Sequence, residues 1–399
     1  MPSLWRNRDF NIFWLVQTIS VAGDSLALIA IPLLVLHATG SVAQMGLLTG
    51  AAGAAAIATG FFAGAIADRV DRRSLLIVCD VARAVLYGVI PFAGGQIWVL
   101  YVVVPLAAVF GMIFQVGYVT AVPNLVGQGQ ITDANGRLFA TQAAAGIGGM
   151  LLAGLLSGAY GPSAAVGLTA AGFAFAAAGL ALVRLRKSSS LQVEKRLNPW
   201  QDFKVGLGFL WRHPVLRALT VLLCFFVFVQ VGLTDLFIYY LKAELGQPDK
   251  VVGYVMSAAT AGTIAGSLLV GRLRRSLGFG VCWIGSTALF GVSVALAGMT
   301  RSVPGVAILA TTYVFFLSIG GICSFTLRQE ITPDHLLGRV TSTFWTIQRA
   351  LSPLGAAALT AAAGQVGVTQ VLVWTGIVCV LIGLAGLFTP VRLARPELA

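Results

Sequence analysis

Five ionisable side chains stand inside long apolar runs of this 399-residue chain: Asp24, Asp80, Arg83, Asp235 and Arg349. A charge at the centre of a hydrocarbon layer costs at least about 2.5–3.5 kcal/mol, so each needs a partner or a function. A carboxylate held away from bulk water can take up and release a proton as its surroundings change. Asp24 is the foremost candidate for such a cycle; the alternative is a fixed ion or hydrogen-bond acceptor. Asp235 could bind a cationic ligand, serve as a second proton site, or pair with a neighbour at the rim. Arg349, about nine residues into its run, reads as a buried cation that holds an anionic ligand, keeps an aspartate ionised, or locks two helices. Asp80 and Arg83 are three residues apart, share a helix face, and read as a supporting ion pair.

Other chemistries have no residues to carry them in this sequence. There is no G-x-x-x-x-G-K-S/T phosphate loop and no G-x-S-x-G nucleophile elbow. His37, His213 and His335 are isolated. The five cysteines lie in apolar runs without C-x-x-C spacing, as buried small hydrophobes do, and form no disulfide set or metal site. No catalytic residue, metal or cofactor is expected, and the chain does not read as an enzyme.

The elements that carry these charges follow from composition. Hydrophobic residues make up 58% and charged ones only 10%, far below the roughly 25% charge of a soluble domain. A bilayer core needs about 20 apolar residues in helix. Twelve stretches meet that need: 10–36, 43–67, 74–94, 98–119, 138–160, 162–183, 215–241, 251–270, 278–298, 303–325, 341–363 and 368–388. With both termini inside, 21 of the 26 Lys and Arg fall on inner segments, three (Lys242, Lys250, Arg301) outside, and Arg83 and Arg349 within spans. That asymmetry is the positive-inside pattern. It accounts for the net charge of +12 without nucleic acid as a partner.

The longest inner segment divides the chain into a six-helix half (1–183), a cytoplasmic linker (184–214) with an amphipathic helix around Trp200–Trp211, and a second half (215–399). Sliding the chain by 207 residues lays Gly46–Arg69 on Gly253–Ser276, with Gly64 on Gly271 and the basic end recurring at Arg272, Arg274 and Arg275. The fold expected is an all-α membrane protein of twelve transmembrane helices in two pseudo-symmetric six-helix halves, one of the known transporter plans. Gly60 and Gly64, four residues apart, would let a neighbouring helix approach closely.

These residues resemble the major facilitator superfamily. Gly64-x-x-x-Asp68-Arg69-x-Asp71-Arg72-Arg73 is similar to the signature of the loop between spans 2 and 3, with Asp71 where many members have glycine. Gly23-Asp24, Pro32-Leu33-Leu34-Val35-Leu36, Gly40-Ser41 and Asp80-x-x-Arg83 resemble its drug-exporter branch of macrolide-efflux and enterobactin-exporter-like proteins. The stretch Gly148-Gly149-Met150-Leu151-Leu152-Ala153-Gly154 lacks the proline of the span 5 exporter signature, which leaves the direction of transport open.

The resemblance implies a cavity lined by spans 1, 4, 7 and 10, and a cytoplasmic gate at Gly64, Asp68, Arg69, Asp71, Arg72 and Arg73. Aromatic residues of spans 7, 10 and 11, among them Phe226, Phe316 and Phe344, could line a pocket for a bulky lipophilic ligand. The expected activity is secondary active transport: proton-coupled efflux of a drug, antibiotic or siderophore-like metabolite by alternating access. Import or symport of a small metabolite on the same fold is the alternative. The expected partners are a small-molecule substrate, protons and the lipid bilayer. The chain is expected to be a monomer, multi-pass in the cell inner (cytoplasmic) membrane.

Overall fold

The computed structural model describes residues 7–126, 131–183 and 199–394, and among them every regular element is helical. The first six long helices are α1 (Arg8–Thr39), α2 (Val42–Arg69), α3 (Arg72–Val89), α4 (Ile97–Leu125), α5 (Ile131–Tyr160) and α6 (Pro162–Leu180). A short helix, α7 (Pro199–Arg212), follows in the linker. The rest are α8 (Pro214–Gln230), α9 (Leu233–Tyr239), α10 (Asp249–Met299), α11 (Val303–Ile331), α12 (Asp334–Val366) and α13 (Val368–Ala385).

Local chemistry sets the ends. The Asn7 side chain accepts the Phe10 N–H at 3.1 Å to open α1, and Gly40 closes it at φ +66°, a left-handed position that suits glycine. Span 7 is broken at Val231-Gly232 into α8 and α9. Its last turn, Tyr240–Glu244, is a wider π-turn. α10 is divided at Gly278 (φ +80°), so it supplies two membrane crossings. Among the described residues ten segments are long and apolar enough to cross a membrane, α10 counted once. The second half of α10 and the long, less apolar α12 complete the twelve.

The chain forms two compact units. The first comprises Met1–Gly40, Ala51–Glu194 and Pro248–Ser257; the second comprises Ser41–Gly50, Lys195–Gln247 and Ala258–Ala399. The first thus holds α1, most of α2, α3–α6 and the first turns of α10, and the second holds the first turns of α2, α7–α9, the rest of α10, and α11–α13.

In the first unit α1 packs on α5 and α6, and α3 on α4 and α6, around Phe10, Phe13, Leu76, Phe114, Leu138 and Leu180. Two glycines decide how closely these helices meet. A Cβ on Gly149 of α5 would lie 2.8 Å from the Ser25 Cβ of α1. One on Gly253, at the start of α10, would lie 2.7 Å from the Gly154 Cα of α5. Nearby, His37 meets Asp249 at 3.3 Å.

In the second unit α12 packs on α7 and α8, with Phe344 and Val340 against Leu210 and Leu216. α7 is fixed by the Arg339–Asp202 ion pair at 2.8 Å. The chain end returns to the break in α10: the Phe279 and Gly280 N–H groups donate to the Ala394 and Leu393 carbonyls at 2.9 and 3.1 Å. Those are donors that a helix start leaves without an intrahelical acceptor. Arg274 and Glu330 join α10 to α11 through a two-pronged ion pair. Among the described glycines of α2 the tightest approaches are at Gly46 and Gly50, against Thr360 and Pro353 of α12, rather than at Gly60, which faces the Met112 side chain; Gly64 lies outside the described side chains.

Candidate functional site

Three of the charges expected to do chemistry come together in the first unit. Arg83 of α3 reaches across to α1, where its Nη1 donates to both Asp24 carboxylate oxygens at 3.2 and 3.3 Å. Its Nη2 pairs with Asp80 one turn earlier on α3 and lies 3.3 Å from the Ser20 hydroxyl. The guanidinium lies over two rings, 4.1 Å from the Phe173 centroid and 4.6 Å from that of Phe114. Aromatic faces attract a cation without competing for its in-plane N–H groups.

Exposure separates the two acids. The Asp80 side chain is 0% exposed and Arg83 3%, whereas Asp24 is 55% exposed. Arg83–Asp80 is therefore a buried, internally neutral pair, and Asp24 is the member whose side chain the packing of the unit leaves uncovered. Protonating Asp24 takes the cluster from a net charge of −1 to zero while the buried pair stays intact. The backbone beside it is closely held: Gly149 of α5 touches Ala22 and Ser25, and the Thr169 hydroxyl of α6 lies 3.4 Å from the Gly23 carbonyl.

The remaining candidates belong to the second unit. Asp235, in the first turn of α9, is 3% exposed. Thr49 hydrogen-bonds its carboxylate, and its Oδ2 has no hydrogen-bond partner among the described residues. Arg349 is a correction: it is exposed, not buried, and its guanidinium stands 5.7 Å from the Trp345 ring centroid. The buried cation of this region is Arg328, near the end of α11 and 3% exposed. In the sequence it counts as one more inner-face charge.

Of the residues in the expected gate, Asp71 opens α3: its carboxylate accepts from the Ser74 N–H and hydroxyl, both at 3.0 Å. Arg73 donates to the Leu180 carbonyl at 3.3 Å and to Ala181, tying α3 to the end of α6. Arg72 begins α3 half-buried. Gly64, Asp68 and Arg69 belong to the last turns of α2, and their side chains lie outside the described residues.

Comparison with known proteins places this arrangement. The model of the Major Facilitator Superfamily matches residues 13–357. The multidrug efflux pump Tap of Mycolicibacterium fortuitum is 23% identical over 392 residues, 95% of this chain and 94% of that protein. The enterobactin exporter EntS of Escherichia coli is 24% identical over 361 residues, 88% of this chain and 84% of that protein. A crystal structure of a variant of the nucleoside transporter NupG has the same fold, with TM-score 0.81 at 12% identity over 96% of this chain and 99% of that one. The chain belongs to the major facilitator superfamily: it is a multi-pass membrane transporter of small molecules, and not an enzyme.

Proposed function

We propose that this protein exports small organic molecules of the drug, antibiotic or siderophore class across the cell inner membrane in exchange for protons. The observation that carries the coupling is the partly uncovered Asp24 carboxylate on a buried Arg83–Asp80 pair. One member can gain or lose a proton while the other two hold the helices together. Such a group biases two packings of the same chain when its charge state differs between them. Support for the outward direction comes from Tap and EntS, both exporters by name, each 23–24% identical along most of the chain. No cofactor is required, since the proton gradient supplies the energy. Both termini lie on the cytoplasmic side in this reading, the chain acts as a monomer, and the Gly64–Arg73 stretch serves as the inner gate.

The test uses a compound panel in cells with and without the gene, and then the purified protein in proteoliposomes. Expression should lower accumulation of at least one compound, and a protonophore should restore it. An imposed pH gradient alone should drive transport by wild type, whereas Asp24→Asn should lose gradient-driven transport and keep substrate binding. Efflux that persists after the gradient is collapsed, or Asp24→Asn transport at the wild-type rate, would sink the coupling. Gene-dependent accumulation instead of efflux would establish the importer.

A further inference from the structure

The second unit holds a cavity of about 370 Å³, partly open to the surface, between α8, α10, α11 and α12, within the range of small-molecule sites. Its wall is almost wholly apolar, with Phe226, Trp283, Phe290 and Phe316 supplying aromatic surface. Among the described residues no Asp or Glu lines it. Arg328 does, buried to 3% exposure. The Phe344 ring covers its guanidinium with the centroid 3.4 Å from Cζ, and Phe325 and Trp345 stand at 5.8 Å.

Rings satisfy the faces of a guanidinium but not the N–H groups in its plane. Nε and Nη1 of Arg328 have no hydrogen-bond partner among the described residues. The same holds for the Gln348 Nε2 and the Ser324 hydroxyl, on residues 3% and 2% exposed that line the same cavity. A buried donor left unmade is costly, and a buried unpaired charge more so. An arginine that only capped the end of α11 would spend its donors on the last carbonyls, and these donors do not. Three residues with unpaired donors therefore line one apolar cavity.

We infer that this cavity is a subsite for an amphipathic organic anion: its carboxylate or other oxyanion is taken by Arg328 with Gln348 and Ser324, and its aromatic or aliphatic body rests on the phenylalanine wall. This rests on the export reading, whose substrate class it narrows to lipophilic acids. The planar guanidinium fork suits a two-oxygen anion in a way that an ammonium does not.

The experiment compares two probes of nearly the same shape, anilinonaphthalene sulfonate and the uncharged N-phenylnaphthylamine, on purified full-length protein in phosphatidylcholine nanodiscs. Energy transfer from Trp283 and Trp345, both at the cavity, reports binding. Wild type should bind the sulfonate more tightly. Arg328→Gln should weaken the sulfonate by about tenfold or more, the scale of a lost charge-assisted hydrogen bond, and leave the neutral probe unchanged. Arg328→Lys should fall between. Gly321 lines the cavity and a Cβ there meets nothing within 4 Å, so Gly321→Leu should weaken both probes. If Arg328→Gln does not fold, Arg328→Lys and Gly321→Leu carry the comparison.

Equal loss of both probes in the Arg328 variants, or no loss of either in Gly321→Leu, would overturn the subsite. So would displacement of the sulfonate when phosphatidylglycerol is added to the discs, which would assign the cavity to a lipid headgroup. Because this assay reads binding alone, its failure leaves proton-driven export standing. The reverse pattern, selective binding without transport, would remove the export reading and keep the site.

Discussion

Arg83→Gln is the perturbation with the clearest expected magnitude. It removes the one cation between Asp80 and Asp24 while keeping an amide of similar length. Asp80 is fully buried and its Oδ2 already lacks a hydrogen-bond partner among the described residues, so the variant strands a carboxylate with no charge to balance it. Breaking a buried pair from one side costs about 3–5 kcal/mol. Asp24 loses its partner too, but its side chain is half uncovered, so the larger cost falls on Asp80. For a unit of 150–250 residues about 2–4 °C of melting temperature follows each kcal/mol, so a fall of roughly 6–20 °C is expected. Tryptophan fluorescence on heating the purified protein in detergent measures it. Asp80→Asn/Arg83→Gln removes both charges and should recover at least half of the loss, since the penalty belongs to the stranded acid. A single variant that melts within about 2 °C of wild type would refute the account of a buried pair. A double variant no better than the single would move the cost to the lost contacts with Phe114 and Phe173.

Two further predictions concern helix geometry. Asp71→Ala should lose about 0.5–2 kcal/mol, the worth of an N-cap, while Asp71→Asn or Asp71→Ser should melt near wild type; as a gate residue Asp71 should still lose transport in Asp71→Asn, and transport at the wild-type rate would take it out of the gate. Gly253→Ala places a Cβ 2.7 Å from the Gly154 Cα and should cost about 1–3 kcal/mol through forced separation of α5 and α10. The matching change on the same helix, Gly271→Ala, meets nothing within 4 Å and should be neutral or stabilising; equal melting of the two variants would count against the close contact.

What the sequence reveals of the site divides along the range of the interaction. Asp80 and Arg83 are legible as a pair because helical geometry alone puts residues three apart on one face. That Asp24 completes the cluster is not legible, because 59 residues separate it from Arg83 and only the packing of both α1 and α3 on α6 brings them together. The twelve crossings were readable because their length and apolarity are local, and the break at Gly278 falls where a positive φ needs a glycine. Arg349 and Arg328 show the complementary failure. α11 is apolar on nearly every side and gives no periodicity from which to read which face turns inward, so depth along the span is the cue that remains. Depth favours Arg349, deep in its run, as the buried cation, and assigns Arg328, near the end of α11, to the inner surface as a topological charge. The structure reverses both, because orientation decides: Arg328 turns onto Phe344 and into a cavity, while Arg349 is exposed. The positive-inside count is insensitive to this difference, since a solvated arginine and one buried among aromatic rings contribute the same charge at the same depth. An arginine counted toward topology is therefore also a candidate ligand-binding residue wherever aromatic side chains from a neighbouring helix cover its faces and leave its N–H groups unpaired.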